Sequence, residues 1–220
     1  MKYADQQLSQ LAIAFPMATE IFRKNRLDFC CGGKQTLREA CEKRNIDLQE
    51  IEAQLHTLSS ENSSDTASMT LSELSDHIIE RYHEDLRCRL PELIALAQKV
   101  ERVHGDHPAS PTGLFEFLTQ VLANIQSHMM KEENVLFPMI KQGLGHMATM
   151  PINVMNREHD THALELEEIR KLTSQFTAPE GACGTWRALY SGLEKFEEEL
   201  MEHIHLENNI LFPRALGQKN

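Results

Sequence analysis

His128-Met129-Met130-Lys131-Glu132-Glu133-Asn134-Val135-Leu136-Phe137-Pro138 decides how this chain is read, because the chain carries it twice. Seventy-five residues on stands His203-Ile204-His205-Leu206-Glu207-Asn208-Asn209-Ile210-Leu211-Phe212-Pro213. His128 matches His203, Glu132 matches Glu207, Asn134 matches Asn209, and both copies close on Leu-Phe-Pro. Each sets a histidine and a glutamate four residues apart. On a helix that spacing stacks both side chains on one face, about one turn apart.

The residues leading into each copy identify the face. Leu114, Leu118, Val121 and Ile125 advance by fours and threes, and the next steps are His128, Glu132 and Val135. Leu189, Leu193, Phe196 and Leu200 lead in the same rhythm to His203, Glu207 and Ile210. This is the core stripe of a packed helix, interrupted by two ionisable residues at the same depth both times. A buried carboxylate costs several kcal/mol unless it is compensated, and a metal ion is the natural compensation.

The repeat extends upstream. Arg81-Tyr82-His83 and Arg157-Glu158-His159 stand 76 residues apart, and His83 and His159 precede His128 and His203 by 45 and 44 residues. Each half therefore reads as a helical hairpin with one histidine on its first helix and a histidine–glutamate pair on its second. Folded antiparallel, two hairpins bring four histidines and two glutamates to one level of a core. That is too many donors for one tetrahedral zinc. It suits two ions of intermediate hardness with bridging carboxylates, which sit roughly 3.5–4 Å apart in such sites. Iron and manganese fit, and the imidazole-rich set favours iron. His162 shares a face with His159, but its counterpart by the same offset is Leu86, so it reads as a core or supporting residue.

Around this centre the chain divides into regions. Short helical patterns fall near 6–14, 17–25, 36–44 and 48–58, giving a small helical domain over 1–58. Asp28-Phe29-Cys30-Cys31-Gly32-Gly33-Lys34 lies between the second and third, with Gln35 or Thr36 able to open the next helix. Residues 59–69 are polar, without apolar period, and read as a linker. From 70 to 220 the pattern is a four-helix bundle. Thr70 and Glu73 form a capping box; the first helix runs to about Val103 through Pro91, with the others over 113–142, 151–176 and 180–216. The expected fold is all-α, with no convincing strand pattern.

Composition narrows the setting. A net charge of −11 argues against general binding to nucleic acid or an anionic membrane. The longest apolar run, Leu11–Phe15, is too short for a signal segment or a membrane span. Five cysteines without a signal read as reduced thiols, so the expected location is the cytoplasm. Cys30 and Cys31 read as a metal-transfer pair, a redox switch, or nucleophiles toward nitrosyl or persulfide species; a helix entrance would lower their pKa. Cys41, Cys88 and Cys183 read as incidental thiols. His104 has no partner that spacing reveals, and His56, His77, His107, His146 and His205 read as solvated.

The bundle resembles the hemerythrin superfamily. With Cys30-Cys31-Gly32-Gly33 ahead of it, the whole chain resembles the bacterial Repair of Iron Centres di-iron family, iron–sulfur cluster repair proteins of that superfamily. The resemblance implies a hemerythrin-like fold and two non-haem iron ions, carboxylate- and oxo-bridged. It implies His83, His128, Glu132, His159, His203 and Glu207 as ligands, with both glutamates bridging. It implies repair of iron–sulfur clusters damaged by nitrosative or oxidative stress, by donating iron to damaged or apo iron–sulfur proteins or a scaffold, with nitric oxide or oxygen species as further partners. A second expectation is a di-iron oxidoreductase reducing nitric oxide or peroxide, and a third is a diatomic-gas sensor. Ala163 stands where oxygen carriers have an extra histidine, and Glu207 stands one residue earlier than their final aspartate. The symmetric set therefore speaks against reversible oxygen carriage.

Overall fold

The computed structural model describes residues 2–58, 66 and 68–218, so most of the expected linker lies outside the described residues. The described chain is all-helical, its only strand-like pairing an isolated bridge between Gln7 and Thr36. Its contacts divide it into two compact units, one of Met1–Leu74 with Met201–Asn220, the other of Ser75–Leu200.

The first unit contains α1 (Leu8–Ala14), α2 (Ala18–Lys24), α3 (Leu37–Arg44) and α4 (Leu48–His56). None is long enough to be stable alone, so tertiary contacts hold them. Thr36 opens α3 with a capping box completed by Glu39. Buried Glu52 on α4 accepts the backbone N–H groups of Tyr3 and Ala4 at 2.8 and 3.1 Å, tying the start of the chain to the last helix. The Cys-Cys-Gly-Gly turn lies against α1, where Gly33 O accepts Ser9 N at 2.9 Å. A Cβ on Gly33 would stand 2.4 Å from Phe29 O and 2.8 Å from Ser9 Cβ, so the close approach admits only glycine.

The carboxy-terminal residues belong to this same unit. Asn208 donates to Cys30 O at 3.2 Å, and Asn209 to Phe29 O and Cys30 O at 3.2 and 3.3 Å. Arg214 donates to Met69 O at 2.6 Å. These contacts seat the cysteine turn on the second copy of the repeated motif.

Four helical rods follow along the chain, and their residues from Ser75 to Leu200 make up the second unit. The first rod is α5 (Leu71–Ile78), a π turn at Ile79–His83, and α6 (Glu84–His104). Thr70 and Glu73 make the expected reciprocal cap, and α6 continues through Pro91. The second is α7 (Leu114–Lys131), a π turn at Glu132–Leu136, and α8 (Phe137–Lys141). The third is α9 (Thr149–Leu172), and the fourth is α10 (Gly184–Leu206), continued by a π turn at Glu207–Leu211 and α11 (Phe212–Ala215). Helix three stops four residues short of the expected Phe176. Thr173 turns its hydroxyl back to Ile169 O at 2.7 Å and accepts Phe176 N at 3.2 Å, while Ser174, Gln175 and Phe176 all take left-handed φ.

The π turns alter the stripe. Leu114, Leu118, Val121, Ile125, His128 and Glu132 are buried as their spacing requires, but Val135 is 50% exposed and Leu136 is buried in its place. One extra residue in the turn after Glu132 moves every later residue round the helix. In the second copy Ile210 and Leu211 are both buried.

Candidate metal centre

Three of the four rods carry a π turn at a nominated residue: one ends at His83, one begins at Glu132 and one begins at Glu207. Such turns widen the helix locally, re-aim a side chain, and collect at functional sites. His159 is presented by regular α9.

Within the Ser75–Leu200 unit, His83, His128, Glu132 and His159 come together, all buried. His83 Nε2 is 3.4 Å from one oxygen of Glu132, and His128 Nε2 is 3.3 Å from the other. The carboxylate thus spans two histidines with one oxygen toward each. One ligand atom from each of His128, Glu132 and His159 lies within 4.8 Å of the others, and the Nε2 atoms of His128 and His159 are 3.1 Å apart.

The outer ring nitrogens explain the inner ones. His83 Nδ1 donates to Glu133 at 2.6 Å, and Arg87 braces that carboxylate with contacts of 2.5 and 2.7 Å. His128 Nδ1 donates to Glu158 at 3.0 Å, and Lys131 braces that one. The His128 and Lys131 partners hold Glu158 at about 2, well below the ordinary carboxylate range. With Nδ1 of each ring engaged by Glu133 or Glu158, both Nε2 atoms face the Glu132 carboxylate, a set of donors that a cation between them would bring together. Carboxylate–histidine pairing of this kind sets the tautomer of metal-binding imidazoles.

In the other unit, His203 Nε2 lies 3.1 Å from Glu207 Oε1, both residues buried. The pair keeps the histidine-to-glutamate relation of His128 and Glu132, as the repeat requires.

His162 is also buried, but it turns Nδ1 to Glu165 at 2.7 Å, and Glu165 accepts Asn124 at 2.6 Å. Burial pushes its pKa down, against the pull of Glu165. It stands beside the nominated ligands, its ring 5.2 Å from that of His128, in the supporting role its unmatched position suggests.

Two expectations need correction. Cys30 and Cys31 do not sit at a helix entrance, since α3 begins only at Leu37. Cys30 is buried, its Sγ 3.8 Å from Cys31 Sγ and 3.3 Å from the Asp28 carboxylate, and the Cys31 thiol with burial raises its pKa well above normal. Asp28, Cys30 and Cys31 each offer a donor atom within 4.8 Å of the others. The second correction is His205, which is buried, not solvated, with its ring 5.5 Å from Phe29 and Asn209 at 3.0 Å. Its counterpart in the first copy, Met130, is 60% exposed, so the repeat concealed this role.

Burial pushes His205 down to about 4 from 6.5. The folded form therefore binds fewer protons than the unfolded chain between those values, and stability is complete above the upper one and falls below it. Urea unfolding should show the parent losing about 2 kcal/mol more than a His205→Leu variant between about pH 7 and 5. Parallel losses in the two proteins would assign the acid sensitivity elsewhere.

Among the described residues, no helix is long and apolar enough to cross a membrane. Residues 74–215 match the hemerythrin HHE cation-binding domain, and residues 4–59 match a domain of unknown function, DUF542. The chain is 53% identical over 218 residues to the iron–sulfur cluster repair protein YtfE of Yersinia pseudotuberculosis serotype O:1b, covering 98% of this chain and 99% of that protein. It matches the YtfE protein of Yersinia pestis strain Pestoides F with the same identity and coverage.

Proposed function

Since the chain belongs to the hemerythrin HHE cation-binding family and to the family of those iron–sulfur cluster repair proteins, we propose that it restores damaged iron–sulfur clusters from a di-iron centre of its own. The observation that carries the reading is Glu132, buried with one oxygen toward each of two imidazoles whose outer nitrogens are locked by Glu133 and Glu158. Such a carboxylate fits between two cations.

His83, His128 and Glu132 would hold iron together with His159, and the repeat assigns His203 and Glu207 to the matching half. Bound there, an iron pair would supply exchangeable metal under nitrogen and carboxylate ligation. The chain's own residues do the rest. Glu133 and Glu158 keep Nδ1 protonated and Nε2 available, Arg87 and Lys131 hold those carboxylates in place, and burial keeps bulk water from the imidazoles. Cys30 and Cys31, in a turn held through Cys30 O by Asn208 and Asn209 beside Glu207 in sequence, would serve as thiol ligands for departing iron. Acceptors would be damaged or apo iron–sulfur proteins or a scaffold, met in the cytoplasm.

Replacing Glu133 by leucine should weaken metal retention roughly 10–100-fold, as loss of a carboxylate behind a metal-binding histidine commonly does. Competition against a chelator measures this directly. Unchanged retention would deprive Glu133 of its positioning role. The function is tested by mixing iron-loaded protein with an apo iron–sulfur protein and following recovery of the acceptor's cluster.

A further inference from the structure

Away from the nominated ligands, the bundle brings together two residues that sequence spacing leaves unrelated. His104 ends α6 and Cys183 immediately precedes α10, and His104 Nε2 lies 3.2 Å from Cys183 Sγ. The imidazole is held in place by Trp186, whose ring is 5.0 Å away, and His107 meets the other part of the same indole edge-on at 5.4 Å. Cys183 occupies the helix-capping position, its carbonyl accepting Arg187 N at 3.1 Å. Arg187 also reaches the carbonyl of Ala182, the residue before Cys183.

We propose that Cys183 and His104 form a nucleophilic thiolate site for small electrophiles, with hydroperoxides as the natural reagent class. A thiol within hydrogen-bond reach of an imidazole is the arrangement that activates cysteine nucleophiles. Cys183 is only partly covered, and a Cβ placed on neighbouring Gly184 meets nothing within 4 Å, so a small molecule can approach. The backbone N–H groups of Trp186 and Thr185, the Thr185 hydroxyl and Arg187 all favour the thiolate and lower the pKa of Cys183. Cys30 is the contrast, a buried thiol beside a carboxylate, held protonated.

The chemistry balances without a further reactant. Cys183 gives its proton to His104 Nε2, and the thiolate attacks the distal peroxide oxygen. An S–O bond forms as the O–O bond breaks. Sulfur is oxidised by two electrons to the sulfenic acid, the peroxide is reduced to an alcohol or water, and the departing oxyanion takes the proton from His104.

The test uses the full-length, metal-loaded protein. Limiting iodoacetamide, in which S–C forms and iodide leaves, reads nucleophilicity at each cysteine by peptide mass mapping. A gain in thiolate fraction outweighs the smaller accompanying loss of intrinsic nucleophilicity, so Cys183 should react measurably, about twofold or more, faster than exposed Cys88 at neutral pH. His104→Phe, which keeps an aromatic ring against Trp186, should slow Cys183 and leave Cys88 unchanged. Hydrogen peroxide followed by dimedone should label Cys183 first. Equal rates at Cys183 and Cys88 in the parent, or first labelling at Cys88, would overturn the proposal whether or not the variant folds.

Discussion

Leucine in place of Glu132 is expected to empty the centre and to stabilise the protein that remains. The parent should carry about two iron ions per chain, as a bridged pair requires. Glu132→Leu should carry almost none, because each oxygen of the lost carboxylate faces a different histidine. Single His128→Ala and His203→Ala variants should lose at least one ion. Metal-free, the order reverses. Glu132 is fully buried, and a buried carboxylate costs several kcal/mol when no cation compensates it, a cost that leucine removes. Elemental analysis and thermal unfolding with and without chelator separate the two effects. A variant that keeps its iron would remove Glu132 from the centre; one less stable than the metal-free parent would remove the charge argument.

Replacing Cys30 and Cys31 together by serine should leave iron content and optical spectra unchanged while slowing iron transfer at least about tenfold, since a hydroxyl does not replace a thiolate as a soft ligand. Serine preserves the backbone N–H groups of both residues, which donate to Asp28 at 3.2 and 2.9 Å, so the turn stays folded. It also preserves the carbonyls that receive Asn208 and Asn209. Asn209→Leu should slow transfer with the thiols intact, by unseating the turn. Transfer at the parental rate by the double serine protein, at equal iron loading, would take the cysteines out of the mechanism.

The helical fold and its bundle were legible because a core stripe at helical period repeats through both copies of one motif. What escaped reading has physical causes. A π turn leaves no mark on residue types, so Val135 takes the phase of an unbroken helix although Leu136 is the residue that packs. His205 is buried by Phe29 from a distant part of the chain, a contact absent at Met130, so internal repetition pointed the wrong way. The early end of helix three depends on the Thr173 hydroxyl competing for Ile169 O, which threonines elsewhere in helices also do without ending them. Glu133 and Glu158 sit beside Glu132 and His159 in sequence and look like ordinary surface charge. Only the fold aims them at the outer nitrogens of His83 and His128.

The most direct test of the account follows iron itself. Protein loaded with iron-57 is mixed with an apo iron–sulfur acceptor, and Mössbauer spectra are taken as the acceptor recovers its cluster. The account predicts that the di-iron signal declines in step with the appearance of iron-57 in the acceptor, and that Glu132→Leu transfers nothing. Cluster recovery with the iron-57 still in the bundle, sustained over many turnovers with nitric oxide or peroxide and a reductant, would contradict donation and identify a catalyst that keeps its metal.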